Sequence, residues 1–367
     1  MIQTAPTGMF TPGPHFCAAL ELSLSKWKIG FSYGGRDKLV TIDARDWKAF
    51  DDEVLKARVR FEVPDGARLF TCYEAGRDGF WIHRELLKKG IDNIVVDPSS
   101  IEVPRRARRA KTDSLDARAL VERLAKYRRG EPKVWQVVKA PTVQEEDARR
   151  LHRERERLTK ERTGHVTRVK SLLALFGVQL KNVFHIELFE EQLPERLRSE
   201  VKRELERLKL VNAQLKLLVS IRAEAIEKLQ LPNADKIQKL VQLKGIGPTT
   251  STILVSEMFG WRDLKNGKQV GACAGLAPTP FASGTVDREQ GISKAGNKRV
   301  RTLCVEIAWG WLRWQPQSAL SKWFEARFGK GSGRSRRVGI VALARKLLVA
   351  LWRYLKFDTM PEGALVS

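Results

Sequence analysis

Acidic residues are in short supply in this chain of 367 residues: 43 Asp and Glu stand against 67 Lys and Arg, a formal net charge of +24. The imbalance favours nucleic acid over acidic small molecules as a partner, because phosphate neutralisation with counterion release supplies most of such an affinity. The basic residues run along the whole chain, which excludes a single basic tail on an otherwise neutral enzyme. Cysteine is also scarce. Cys17, Cys72, Cys273 and Cys304 are far apart and form no CxxC pair, which excludes a zinc knuckle or a disulfide framework and fits reduced, buried thiols of a cytoplasmic protein. The five histidines, at 15, 83, 152, 165 and 185, show no ligand spacing and receive no role. Long apolar runs are missing: Gly339 to Trp352, the longest, is broken by Arg345 and Lys346 and is too short to span a bilayer. The opening MIQTAPTGMFTPGPHF has neither a basic n-region nor an apolar h-region, so no secretory signal is expected. There is no internal repeat and no low-complexity tract.

What is present divides into sections. Residues 1–14, rich in Pro, Gly and Thr, read as a loose tail. Residues 15–130 read as a mixed α/β domain: strands in FCAALELS, WKIGFSY and KLVTID, a helix over Asp46–Arg58, a strand over Arg68–Tyr73, a helix over Gly79–Lys89 and a strand over Asn93–Val96. A helix over Ala110–Tyr127 follows, with Leu115, Leu120, Val121 and Leu124 expected on its buried side. Residues 131–234 are charged, helical and poor in glycine. Leu151, Leu158 and Leu172 keep a seven-residue spacing, with His165 in the missing position. Val201, Leu205, Leu208, Leu215, Val219, Ile226 and Leu229 follow the four–three alternation of a coiled-coil seam, with Asn212 and Arg222 as its polar members. This predicts a helical hairpin or coiled coil used for self-association, with packing inside its own monomer as the alternative. Residues 235–367 are punctuated by glycine and hold Trp309, Trp311, Trp314, Trp323 and Trp352 in helical text, expected in the core, with base stacking by one or two of them as the alternative.

The chemistry concentrates in KTDSLDA, Lys111 to Ala117, read with Glu21 and Glu74 upstream. Asp113 and Asp116 are three residues apart and share a helix face, directly after the basic run Arg105, Arg106, Arg108, Arg109 and Lys111. Clustered carboxylates beside a cationic run suit hard divalent cations next to a phosphate backbone, which describes a metal-dependent nucleic-acid enzyme.

ALELS (19–23), CYEAGRDGFWIHREL (72–86), VVDPSSI (95–101) and KTDSLDARAL (111–120) resemble the amino-terminal half of the DEDD-type insertion-sequence transposases, and GLAPTPFASGTVDREQGISKAGNKRVR (275–301) resembles their carboxy-terminal half. The motifs cover nearly the whole chain in the family's order. The resemblance implies an RNase H-like, Holliday-junction-resolvase-like domain followed by a helical coiled-coil section and a mostly helical C-terminal serine domain, an α/β plus all-α chain. It implies a catalytic and metal-binding set of Glu21, Glu74, Asp113 and Asp116, holding Mg²⁺ or Mn²⁺ as oxygen-only ligands do. The family has Asp where this chain has Glu21, a longer side chain that fixes the site less well. The resemblance also makes Ser283 a nucleophile on DNA, although Ser283-Gly284 by itself reads as a turn between loop-like stretches 277–282 and 285–291.

Beyond the acids and the serine, Arg288, Lys294, Lys298, Arg299 and Arg301 read as phosphate clamps. KGIGPTT, with Lys244, Gly245 and Gly247 ahead of a helix over Thr250–Met258, is similar to the hairpin of a helix-hairpin-helix. KGSGRSRR, with Arg334, Arg336 and Arg337, reads as a flexible cationic loop on a nucleic-acid backbone. The resemblance implies donor and target DNA, an element-encoded guide RNA, a dimer or tetramer in which one subunit's serine completes another's acid site, and a bacterial or archaeal, nucleoid-associated cytoplasmic protein. The alternatives are a junction-resolving nuclease using water, in which Ser283 is structural, and a binding scaffold with a decayed site. A covalent protein–DNA adduct separates the first reading from the nuclease, and retained Mg²⁺-dependent chemistry separates both from the scaffold.

Overall fold

In the first strands, apolar residues occupy both faces, as a sheet covered on two sides requires. β1 (Phe16–Leu22), β2 (Lys26–Tyr33) and β3 (Arg36–Asp43) form an antiparallel meander. The computed structural model describes residues 13–101, 113–132, 134–283 and 286–366, and residues 1–141 and 142–367 form two units.

In the first unit, α1 (Trp47–Phe61) begins where the Asp46 carboxylate accepts from the Ala49 amide at 2.9 Å and ends at Glu62, whose φ of 55° turns the chain away. β4 (Leu69–Glu74), α2 (Trp81–Lys88) and β5 (Asp92–Val96) follow. α3 (Asp113–Arg128) and β6 (Val137–Val138), a short edge strand absent from the sequence reading, complete the unit. The sheet order is β3-β2-β1-β4-β5-β6, with the β1–β4 and β4–β5 pairs parallel and the other three pairs antiparallel. On one face Phe16, Ala18, Leu20, Ile29 and Tyr73 meet Phe50, Ala57, Ile82 and Leu86 from α1 and α2. Trp27, Trp47 and Trp81 close that side with edge-to-face rings, centroids 5.3 Å apart for Trp27–Trp47 and 6.1 Å for Trp47–Trp81. On the other face Cys17, Ala19, Cys72 and Val96 meet Leu120, Val121 and Leu124 of α3. Leu115 departs from expectation: it is 50% exposed, because five residues before Leu120 is about 140° around the helix from it.

In the second unit, α4 (Val143–Asp147) opens with a capping box between Thr142 and Glu145. α5 (Arg150–Ala174) and α6 (Glu195–Glu227) then form an antiparallel hairpin. Val169 and Leu173 near the end of α5 meet Val201, Leu205 and Leu208 near the start of α6, while Leu151 and Leu158 meet Val211, Leu215 and Leu218. The predicted seam is therefore filled by α5 of the same chain, the hairpin form of the expectation, and it stops short: Val219 and Leu229 are exposed.

The remaining helices are α7 (Ala234–Val241), α8 (Pro248–Leu254), α9 (Gly267–Cys273), α10 (Lys298–Trp314), α11 (Ala319–Phe324) and α12 (Gly333–Phe357), with the hairpin β7 (Pro278–Ser283) and β8 (Val286–Ile292) between α9 and α10. α8 starts at Pro248, earlier than expected, and passes into a π-helical turn, Val255–Phe259. α10 and α12 form the centre of one core with Leu240, Leu254, Met258 and Phe324. Trp311 and Trp352 belong to that core and Trp323 packs partly against it, whereas Trp309 and Trp314 are 44% and 46% exposed. The buried Gln315 ties the last residues down, donating to the Lys244 and Leu365 carbonyls at 2.9 and 2.8 Å. Among the described residues no helix is long and apolar enough to cross a membrane.

Candidate functional site

Register brings the first two acids together. Leu20 of β1 pairs with Tyr73 of the parallel β4, so the next residues, Glu21 and Glu74, are neighbours at the carboxyl ends of adjacent strands, about 4.8 Å apart in backbone spacing. Side chains alternate across a sheet. Leu20 and Tyr73 lie on the α1–α2 face, and Ala19 and Cys72 on the α3 face. Glu21 and Glu74 are therefore both on the α3 face, where they line a cleft made by residues 20–25 and 74–78. Lys28 stands across from Glu21 on β2 and also borders the site.

The direction of α3 follows from its two ends. The Ala117 carbonyl sits 2.9 Å from where a Cβ on Gly30 would be, and Gly30 pairs with Ala19. At the far end the Arg128 guanidinium lies 3.6 Å from the ring centre of Phe70, which pairs with Cys17 at the start of β1. The helix thus runs opposite to β1 and β4, and its amino terminus lies over their carboxyl ends. From Ala117 back to Asp113 is about 6 Å along the helix, matching the rise of about 6.6 Å from Ala19 to Glu21. The half-buried Asp116 and the first residue of α3, Asp113, thus stand at the edge that carries Glu21 and Glu74. The side chain of Asp113 and the whole of Arg105, Arg106, Arg108, Arg109 and Lys111 lie outside the described residues.

The donor chemistry fits a hard divalent cation: carboxylates on adjacent strand ends, facing a helix terminus that carries two more, without thiol or imidazole. Among the described residues, which leave out the Asp113 side chain, no three His, Cys, Asp or Glu side chains gather closely enough to hold an ion. Two buried thiols, Cys17 and Cys72, lie on the same sheet face. Burial pushes Cys17 up to about 12 and Cys72 well above its ordinary value.

Ser283 is the last residue of β7 and pairs with Val286 of β8. The flanks expected to be loops are therefore strands, consistent with the two-residue, glycine-containing connection between them. Gly284 and Thr285 lie outside the described residues, as do the side chains of Ser283 and Arg288. Arg301 is engaged: its Nη1 donates to the Ala274 and Lys294 carbonyls at 3.1 and 2.9 Å. Arg299 donates from Nε to Glu156 on α5 at 2.5 Å, while Lys294 and Lys298 are exposed. Gly247 caps α8, with Lys244 and Gly245 exposed before it. The segment predicted as a flexible cationic loop is helical from Gly333. Ser332 accepts from the Ser335 amide at 3.3 Å, which places Arg334, Arg336 and Arg337 in the first turns of α12.

Sequence reasoning missed a buried hub. Glu257, 1% exposed on the π-helical turn, accepts from His152 Nε2 at 2.7 Å, from Arg153 at 2.8 and 2.9 Å, and from Asn297 Nδ2 at 2.9 Å. Burial works to raise its carboxyl, but the bonds from His152 and Arg153 outweigh it and hold Glu257 well below the ordinary carboxylate range. Asn297 meanwhile caps α10, its Oδ1 accepting from the Arg299 and Val300 amides. The hub joins the start of α5 to the residues that follow the Ser283 hairpin. A smaller one, Glu204 with His165, Arg168 and Arg207, fills the heptad position that lacked leucine. In sequence each histidine was only a lone polar residue in a helix.

Residues 237–322 match the family described as Transposase IS116/IS110/IS902. The chain is 42% identical over 390 aligned positions to the y4rJ protein of Sinorhizobium fredii, whose name ranks it provisionally among transposases; the match covers 99% of this chain and 97% of that one. It is 27% identical to the transposase for insertion sequence element IS1111A of Coxiella burnetii, over 74% of each chain. To the transposase for insertion sequence element IS1328 of Yersinia enterocolitica it is also 27% identical, over 66% of this chain and 71% of that one.

Proposed function

Because the chain belongs to the IS116/IS110/IS902 transposase family, we propose that it cuts and rejoins DNA strands to move an insertion sequence, using an acidic corner and a serine nucleophile. The observation that carries the reading is the convergence of Glu21 and Glu74, neighbours on one sheet face, with the amino terminus of α3 that bears Asp113 and Asp116. The strand order and this carboxyl-edge site support an RNase H-like assignment for the first unit.

Glu21, Glu74, Asp113 and Asp116 would hold Mg²⁺ or Mn²⁺, which when bound supplies charge stabilisation to a reacting phosphodiester. The remaining roles belong to the chain. Ser283 Oγ attacks phosphorus, a serine–phosphate ester forms, the bond to one deoxyribose oxygen breaks, and that oxygen leaves as a hydroxyl carrying one proton. One phosphodiester replaces another, so no external energy source is needed, and reversal onto a second strand completes exchange. Lys28 beside Glu21, and the exposed Lys294 and Lys298, supply cations to the backbone. An element-encoded guide RNA, donor and target DNA, and a dimer or tetramer complete the proposed assembly, in a nucleoid-associated bacterial or archaeal setting. The charge of +24 supports two nucleic acids bound together.

The test is a denaturing gel of the full chain with labelled element-end DNA. The wild type should yield a labelled protein–DNA adduct, and Ser283→Ala should lose adduct and recombination while binding DNA with unchanged salt dependence. Normal recombination by Ser283→Ala would make the serine structural and leave a metal-dependent nuclease.

A further inference from the structure

α10 carries an aromatic surface that neither the core nor the proposed chemistry uses. Glu306, Trp309, Gly310, Arg313 and Trp314 fall within about 140° of helix surface, given 100° per residue, opposite Val300, Cys304, Ala308 and Trp311, which are buried. Trp309 and Trp314 are nearly half exposed. Between them Gly310 has nothing within 4 Å of the position a Cβ would take. A glycine inside a helix costs about 1 kcal/mol relative to alanine, and here no close contact demands it. Its effect is open helix surface beside Trp314, while Trp309 lies about 140° around the helix from that ring.

The surroundings of Trp314 are preorganised and cationic. Trp314 packs against Gly245, whose φ of +91° favours glycine and whose Cβ would come within 3.0 Å of Trp314 Cβ. The ring is thus braced from the KGIG loop. The Arg313 guanidinium lies 5.2 Å from the centre of the Trp314 ring, and the exposed Lys244 precedes Gly245. A flat apolar face with fixed orientation, flanked by two cations, has the chemistry of a platform for an unpaired base with its phosphate. A duplex presents no free base face to such a surface.

We infer that Trp314, with Gly310 and Arg313 beside it, forms a stacking site for single-stranded DNA, holding a strand unpaired during exchange. The identity of the strand as DNA rests on the transposase reading; the site itself rests on the helix face. Glu306 is the one acidic group on that arc, so Glu306→Gln should tighten binding.

The test compares binding of the full chain to a labelled oligothymidylate, to a duplex of the same length and to an oligouridylate, by fluorescence anisotropy. Trp314→Ala should weaken oligothymidylate binding about 5- to 100-fold, the range expected for one lost base stack, and leave duplex binding unchanged; Trp314→Phe should restore most of the loss. Gly310→Leu is the variant that misfolding cannot explain: leucine favours the helix, so the melting temperature should rise while single-strand affinity falls. Unchanged oligothymidylate binding in Gly310→Leu and Trp314→Ala would overturn the proposal, as would an equal loss on duplex. Tighter binding of the oligouridylate would overturn the assignment to DNA. If the wild type bound neither DNA, the transposase reading would fail with it; duplex binding without the single-strand effects removes the platform alone.

Discussion

At the scale of single residues, the acids that matter to the proposed reaction and the acids that matter to stability are different. Glu21 and Glu74 border an open cleft, where a carboxylate can exchange partners. Glu257 and Glu204 are buried and hydrogen-bonded by guanidinium and imidazole groups. Removing one member of a buried charge cluster leaves the others uncompensated, at about 3–5 kcal/mol. Glu257→Ala should lower the unfolding free energy by that amount in urea denaturation. The pH sign follows from the depressed carboxyl: the stabilisation is complete above the unfolded value of 4.5 and is lost progressively as pH falls below it. Acid unfolding should therefore be less steep in Glu257→Gln than in the wild type. These hubs could not be read from the sequence, because His152 and Glu257 are 105 residues apart and nothing local in either segment signals the other.

At the scale of elements, alternation and helical period made most of the first unit legible. The strands around Ala18, Ile29 and Val40 and the helix carrying Leu120, Val121 and Leu124 occur where those patterns place them. Leu115, Trp309 and Trp314 are exposed for one shared reason: helical text with apolar residues does not by itself give the angle of each residue to the buried stripe. The contact between α3 and β2 is the tightest constraint on the acidic corner. Gly30→Ala would set a methyl 2.9 Å from the Ala117 carbonyl, and overpacking of that kind costs about 1–3 kcal/mol. The expected outcome is a lower melting temperature with DNA cleavage reduced further than stability alone predicts, since α3 carries Asp113 and Asp116. The heptad pattern, in turn, was legible as a seam but not as to whose helix fills it. With α5 as the occupant, Leu208→Asp should unfold the hairpin, at more than ~3 kcal/mol. Circular dichroism melts would show this; dissociation of an intact subunit in light scattering, without loss of stability, would return the seam to an intermolecular role.

At the scale of the whole molecule, charge and motif order identified a DNA-mobilising enzyme before any geometry was known, because both are properties of the sequence as a string. The placement of the acids needed the fold. Glu21 and Glu74 are 53 residues apart in the chain and adjacent only through the parallel register of β1 with β4. If this register makes a cation-dependent cleavage site, cleavage of element-end DNA depends on Glu74, and Glu74→Gln tests that dependence. That change keeps the side chain's shape and removes one charge. In Mg²⁺ the wild type should cut, chelation with EDTA should stop it, and Glu74→Gln should bind the DNA equally well yet cleave at least about 100-fold more slowly, the scale of losing one electrostatic contact to a transition state. Wild-type cleavage by Glu74→Gln, or cleavage undiminished by EDTA, would contradict it.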